Sequence, residues 1–286
     1  MAVRPRLHSR LPVGSDVRTM SAGIRRTILE QSKRAGIGHI GSCLSVADAL
    51  AALYGAVLRI DDLDDPGRDR FIMSKGHAAL ALYAALHAAG WLSTERLGSY
   101  CADGSPVAGH PEHALPGVEL STGSLGHGLS VGAGQALAGR LHGHHGRVFV
   151  LMSDAECNEG SVWEAAMFAA HHGLSNLIAL IDVNGQQALG PTRDVLNLEP
   201  LAERWRAFGW NVHELDGHDP ARIAAVLGGL PATGGAPHAA VLRTTFGKGV
   251  SYMEGNVQWH YWPMSDSQYE QALAELSAAD GDGGKR

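Results

Sequence analysis

Four short apolar runs constrain this chain more than any other feature: "VFVLMS" (148–153), "LIALID" (177–182), "NVHELD" (211–216) and "HAAVLRT" (238–244). Helical stretches such as "SVWEAAMFAAHH" (161–172) separate them. Strands that alternate with helices in this way build βαβ units, and these require a parallel sheet covered on both faces. The fold class expected is therefore α/β, a parallel central sheet flanked by helices.

Ahead of residue 148 the pattern is helical. "MSAGIRRTILEQSKRA" (20–35) places Ile24, Ile28 and Leu29 on one face. "SVADALAALYGAVLR" (45–59) carries the stripe Val46, Ala49, Leu50, Leu53 and Val57, opened by Ser45-x-x-Asp48, which resembles a capping box. A third helix is expected within 79–90, closed by Gly90. One compositional seam falls near residue 145, and no internal repeat accompanies it. One domain over 19–277 with a helical front is the simplest account, with an aperiodic extension at 1–18 and a flexible tail at 278–286.

The 286 residues, 45% of them hydrophobic, can build a sizeable core. With 23 basic against 29 acidic residues the net charge is −6, which argues against a nucleic-acid or anionic-membrane surface. No 18-residue apolar run suggests a membrane span. Cys43, Cys101 and Cys157 lack the spacing of a disulfide framework or zinc site. A reducing cytoplasm is expected. Sixteen histidines are many, and those in "LHGHHGR" (141–147) read as surface residues. "GIGHIG" (36–41) matches G-x-G-x-x-G, but a helix precedes it and "SCLS" separates it from the next one, so it fails as a dinucleotide fingerprint.

"SDAECNEG" (153–160) has the context that "GIGHIG" lacks. It follows a strand directly and concentrates Asp154, Glu156 and Glu159 where ligands of a parallel sheet bind. Ser161 and Glu164 have capping-box spacing, which places a helix N-terminus just beyond the acids. Such a terminus attracts a phosphate-like anion, and the neighbouring acids then call for a cation between them. Mg²⁺ fits, since it takes hard oxygen ligands shared with phosphates. Asn184 ends the next strand, 30 residues from Asp154 (184 − 154), about one βαβ unit away. The competing reading is that these residues serve only as caps and turns.

On these motifs the chain resembles the thiamine-diphosphate enzymes, and in particular the N-terminal half of transketolase, over residues 20 to 275. The family's Gly-Asp-Gly…Asn motif reads Ser153-Asp154-Ala155 with Asn184. The resemblance implies a thiamine-diphosphate-binding fold in which Asp154, the Asn184 side-chain oxygen and the Gln186 backbone carbonyl ligate Mg²⁺ on the cofactor diphosphate. It implies Lys75 and His77, in "SKGHA", near that diphosphate, with Ala155 alongside. Gly123, Ser124, Leu125 and Gly126, in "STGSLGHGLS", would cradle the thiamine through their backbone. His39, His110 (in "GHPE") and His260 would face the substrate, His260 also bordering the cofactor, and Glu159 would lie where two subunits meet. Imidazoles suit the proton transfers of ketol transfer near neutral pH.

The family's activating glutamate belongs to the following domain, before which this chain ends. The resemblance therefore implies one subunit of a split transketolase. Such a subunit would act on sugars or sugar phosphates with a separate pyrimidine-domain partner, as an α₂β₂ heterotetramer. Ser153 and Ala155 replace two glycines of the motif, Phe246 stands where the family often has a Lys, and Tyr261 and Trp262 are bulky where small or basic residues are usual. Other readings are a non-catalytic partner, a 2-oxo acid dehydrogenase-type thiamine subunit, and a His-rich metallohydrolase. The scattered positions of His39, His77, His110 and His260 speak against the last.

Overall fold

The computed structural model describes residues 16–282. Helix α1 (Val17–Ala35) begins at Asp16, whose carboxylate accepts from the Arg18 amide, and ends at Gly36, φ 65°. Next come α2 (Ile40–Ser45) and α3 (Ala47–Ala52), with α3 running into one π turn at Leu53–Val57. The single helix expected over 45–59 is thus broken at Val46. Its capping box does not form, because tertiary partners claim both residues. The Ser45 hydroxyl donates to Asp182, and the Asp48 carboxylate is held by Arg25 and His218.

Strand β1 (Arg70–Met73) leads to α4 (Ala79–Ala88), α5 (Thr94–Leu97) and α6 (His127–Leu141). The second half runs β2 (Val148–Ser153), α7 (Gly160–His171), β3 (Leu177–Val183), and a small hairpin of β4 (Gln186–Gln187) and β5 (Gly190–Pro191). It continues through α8 (Thr192–Leu196), α9 (Leu201–Ala207), β6 (Asn211–Asp216), α10 (Pro220–Gly228), β7 (His238–Arg243) and α11 (Asp266–Asp282). Helix α11 crosses the expected tail boundary at 278, and α1 begins inside the expected extension. Residues 1–15 and 283–286 lie outside the described part.

The main sheet has the order β1-β2-β3-β7-β6, with every neighbouring pair parallel. All four expected strands are present. The fifth, β1, escapes the sequence pattern because it is only "RFIM" between charged neighbours. It pairs with β2, Phe71 opposite Phe149, so the helical front and the βαβ half share one sheet. A buried Arg147–Asp69 ion pair fastens this edge, and the same guanidinium donates to the carbonyls of Val57 and Leu227.

Side chains alternate across the sheet, as the period of a strand dictates. Phe149, Leu151, Ile178, Leu180 and Leu242 belong to a core with α1–α4, while Val150, Met152, Leu177, Ala179 and Ile181 belong to a second core with α6, α7 and α9. Both faces are buried, which is why these strands are apolar at every position instead of every second one. Register places Ser153 opposite Asp182, and Val183 opposite Arg243. The carboxyl ends of β2, β3 and β7 therefore meet at one edge. Among the described residues no helix is long and apolar enough to cross a membrane.

Candidate active site

Two buried carboxylates sit at that edge. Asp154 leaves β2 in helical backbone geometry (φ −58°), and its Oδ1 accepts from the Ala155 amide at 2.9 Å. Its Oδ2 accepts from the Gly185 amide at 3.1 Å and the Thr192 hydroxyl at 3.0 Å. Asp182, near the end of β3, accepts from Lys75 Nζ at 2.6 Å, from the Ser45 hydroxyl at 2.8 Å and from Asn184 Nδ2 at 2.8 Å. The Thr244 hydroxyl, at the end of β7, donates to its other oxygen. Because the Asn184 amide nitrogen faces Asp182, its Oδ1 points away and accepts from the Gln186 amide at 3.0 Å.

This arrangement leaves charge unbalanced. Lys75 is fully buried, and its ammonium is committed to Asp182. Asp154 has no such partner: burial, and then repulsion from Asp182, raise its pKa to about 6. A cation beside Asp154 would relieve both effects. Among the described residues no three His, Cys, Asp or Glu side chains converge on a metal-sized position. The donors at hand are one carboxylate, one carboxamide and backbone oxygen in the β4–β5 hairpin, a hard-oxygen set that fits a magnesium-like ion better than zinc. A cleft of ≈ 400 Å³ opens over them, bounded by Asp154, Asn184, Gly185, Gln186, Thr192 and Arg193.

Three histidines gather nearby. The rings of His39 and His260 are 4.8 Å apart, His77 and His260 5.3 Å, and His39 and His77 5.6 Å. His39 adopts a left-handed backbone (φ 60°) that a β-substituted residue rarely takes, and its amide donates to the His260 carbonyl at 3.1 Å. Its Nδ1 is buried without a partner. His77 Nε2 lies 2.8 Å from the Ser42 hydroxyl. Burial lowers all three pKa values, helped by neighbouring histidines and Lys75: His260 falls from 6.5 to about 4, and His77 falls well below its ordinary value. The trio is neutral at pH 7 and able to accept protons. His110 lies on an exposed loop against Gly123, where an added Cβ would sit 3.3 Å from its ring, and its charge also opposes protonation of His39 and His77.

The segment 123–126 leads into α6, with Gly126 as its cap at φ 86°. A Cβ there would come within 2.7 Å of the Glu159 side chain, so glycine is required. Gly123 and Ser124 are exposed and Leu125 is half-buried, and Glu159 is an exposed side chain at the cap of α7. The capping box expected at Ser161 and Glu164 does not form, because the Ser161 hydroxyl donates to the Gly126 carbonyl at 2.9 Å. The reciprocal pair occurs eight residues earlier. Glu156 N donates to Ser153 Oγ at 3.0 Å, and Ser153 N donates to Glu156 Oε2 at 3.4 Å. The same S-x-x-E spacing is present there, overlapping the last residue of β2.

The substitutions in the motif are accommodated. Among the described residues only His39 and Cys101 are non-glycines with positive φ, so Ala155 bears no left-handed strain. Phe246 is buried and stacks on His260 at 6.3 Å, and a Cβ on Gly41 would come within 2.1 Å of its ring. Tyr261 and Trp262 are exposed beside the histidines, the Tyr261 hydroxyl donating to the Ala188 carbonyl at 2.9 Å. Asp182 and Thr192 are the site residues that sequence reasoning missed, while Glu156 stands out in the sequence as an acid of the turn with no partner assigned to it.

Buried strand-end oxygens under a cleft, next to neutral imidazoles, fit the class of thiamine-diphosphate-binding α/β proteins. Residues 17–279 match the family described as "Transketolase, thiamine diphosphate binding domain". The chain is 43% identical over 258 residues to an apulose-4-phosphate transketolase subunit of Phocaeicola vulgatus, covering 88% of this chain and 91% of that one. It is 38% identical over 264 residues to the 6-deoxy-6-sulfo-D-fructose transketolase subunit of a Clostridium species, covering 91% of this chain and 96% of that one. The solved transketolase of Leishmania mexicana superposes with a TM-score of 0.84 at 29% identity, over 92% of this chain and 41% of that chain. The Campylobacter jejuni enzyme gives 0.84 at 29%, over 91% and 43%. This chain belongs to the transketolase family, as its thiamine-diphosphate-binding part. It spans about two fifths of the length of those solved chains.

Asp154→Ala is expected to abolish Mg²⁺-dependent thiamine diphosphate binding while leaving the melting temperature unchanged or higher, since it removes a charge that burial and Asp182 already oppose. Unchanged cofactor affinity by calorimetry would contradict this reading of the carboxylate.

NMR titration of His260 in the full chain should give a midpoint well below 6.5, near 4. Its depressed pKa means the unfolded chain takes up the proton first, so its contribution to stability is complete above pH 6.5 and is lost as the pH falls toward 4. A midpoint at or above 6.5 would mean that the ring is not desolvated as described.

Proposed function

We propose that this chain is the cofactor-diphosphate subunit of a two-subunit, Mg²⁺-dependent transketolase, moving a two-carbon ketol unit from a ketose or ketose phosphate to an aldehyde acceptor. The observation that carries this reading is the under-neutralised Asp154 beside Asn184, together with three packed, neutral histidines that feel the charge of the same Lys75. Asp154, Asn184 Oδ1 and the Gln186 carbonyl would hold the metal on the diphosphate. Lys75 acts from behind, fixing Asp182 and through it Asn184. The loop 123–126 would support the thiamine by its backbone, with Ala155 and His77 lining the diphosphate end and Glu159 where two subunits meet.

When bound, thiamine diphosphate supplies the electron sink for the carbanion left as the donor's C2–C3 bond breaks. The chain's own task is proton handling. His39 and His260, held neutral by desolvation, can take the donor's hydroxyl proton and later return one to the acceptor. His110, on an exposed loop, would hold substrate hydroxyls. Tyr261 and Trp262, bulky and exposed next to His260, would favour a specialised acceptor over the ordinary pentose phosphates.

The relatives matched over 91% and 96% of their own length are named as subunits. That supports a separate partner carrying the pyrimidine-binding domain and its glutamate, in an α₂β₂ assembly. The three cysteines are free, two of them buried, in keeping with a reducing cytoplasm. The purified chain is expected to lack ketol transfer and to gain it when a pyrimidine-domain subunit is added. In that complex His260→Ala should lower turnover roughly 10²- to 10⁴-fold with little change in cofactor affinity. Two-carbon transfer at enzyme-like rates by the chain alone would overturn the two-subunit reading.

A further inference from the structure

Glu156, the buried acid of "SDAECNEG" that pairs with Ser153, also reaches beyond its own turn. It is fully buried, and its carboxylate meets donors from three separated segments. The Ser74 hydroxyl, just after β1, donates to Oε1, and the Gly126 amide donates to the same oxygen at 2.9 Å. The Ser153 amide, at the end of β2, donates to Oε2 at 3.4 Å. Ser74 extends the chain of bonds, because its Oγ accepts from the Gly128 amide at 3.1 Å in the first turn of α6. Packing enforces the contact, since a Cβ on Gly128 would come within 2.2 Å of Ser74 Oγ.

We propose that Glu156 is a positioning residue that clamps the 123–126 loop and the start of α6 to the ends of β1 and β2, and so sets the loop's distance from Asp154. The proposal rests on the reading above that this loop supports the thiamine and Asp154 the metal. The loop itself makes few bonds that would hold it: Gly123 and Ser124 are exposed, and the next anchor after Glu156 is the Ser161–Gly126 bond. Oε1 thus joins two donors from segments distant in sequence, the Ser74 hydroxyl and the Gly126 amide. No other acid in the turn can substitute. Asp154 is directed to Gly185 and Thr192, and Glu159 is exposed.

The test uses the full chain as wild type, Glu156→Ala and Glu156→Gln, with hydrogen exchange followed by peptide and Mg²⁺–thiamine diphosphate affinity measured by calorimetry. Glu156→Ala should speed exchange in peptides covering 123–129 while leaving 177–183 unchanged, and should weaken cofactor affinity roughly 10- to 100-fold, as loss of an outer-shell partner does. Glu156→Gln keeps an acceptor for Gly126 and should recover most of the affinity. If the alanine variant does not fold, the glutamine variant and the wild type carry the comparison, with local loosening at 123–129 expected to a smaller degree. Unchanged exchange at 123–129, or loosening spread evenly over the chain, would overturn the clamp. A wild-type chain that binds no thiamine diphosphate would defeat the functional reading instead, while the exchange data would still decide what Glu156 holds.

Discussion

The strand edge depends on one buried cation, Lys75, that is committed to Asp182 and leaves the neighbouring buried carboxylate of Asp154 without a counter-charge. Parallel strands deliver their carboxyl ends to one edge, and β2 and β3 deliver Asp154 and Asp182 side by side there. Lys75 neutralises Asp182 inside the protein, with Ser45, Asn184 and Thr244 completing its hydrogen bonds. Removing either partner would leave an uncompensated buried charge, a loss of about 3–5 kcal/mol. Asp154 is left short of a counter-charge, and under the proposed function that deficit would draw a cation, and through it the cofactor diphosphate, to this edge.

The histidine cluster follows the same logic with the opposite outcome. Burial removes water from His39, His77 and His260, and their mutual proximity makes a second positive charge costlier still. The trio settles in its neutral form, the state in which an imidazole can accept a proton. The left-handed backbone at His39 shows that the placement is enforced from outside the residue. Phe246 helps by filling the space against Gly41 and stacking on His260. An apolar ring at this position adds no charge to a pocket that already holds its imidazoles neutral.

The sheet was legible because β2, β3 and β7 are buried on both faces and therefore read as unbroken apolar runs. Four-residue β1 carries too little signal to stand out, and the break at Val46 depends on Ser45 and Asp48 meeting Asp182, Arg25 and His218, partners distant in sequence. At the site, Asp154 and Asn184 were legible from their places just after strands. Asp182 was hidden inside the apolar run it terminates, and Thr192 reaches Asp154 only through the β4–β5 hairpin. Glu156 was visible as an acid, but its function as an internal acceptor depends on Ser74 and Gly126, 82 and 30 residues away. Local spacing revealed what strand ends present; it could not reveal what they hold in place across the fold.

The central claim is that Asp154, Asn184 and Gln186 form one cation site at this strand edge. A crystal structure of the full chain grown with thiamine diphosphate and Mn²⁺, with anomalous scattering from the metal, tests it directly. One anomalous peak is expected within coordination distance of the Asp154 carboxylate, the Asn184 side-chain oxygen and the Gln186 carbonyl, about 2.0–2.4 Å away as for hard cations bound by oxygen. A peak among His39, His77 and His260 with none beside Asp154 would contradict the account.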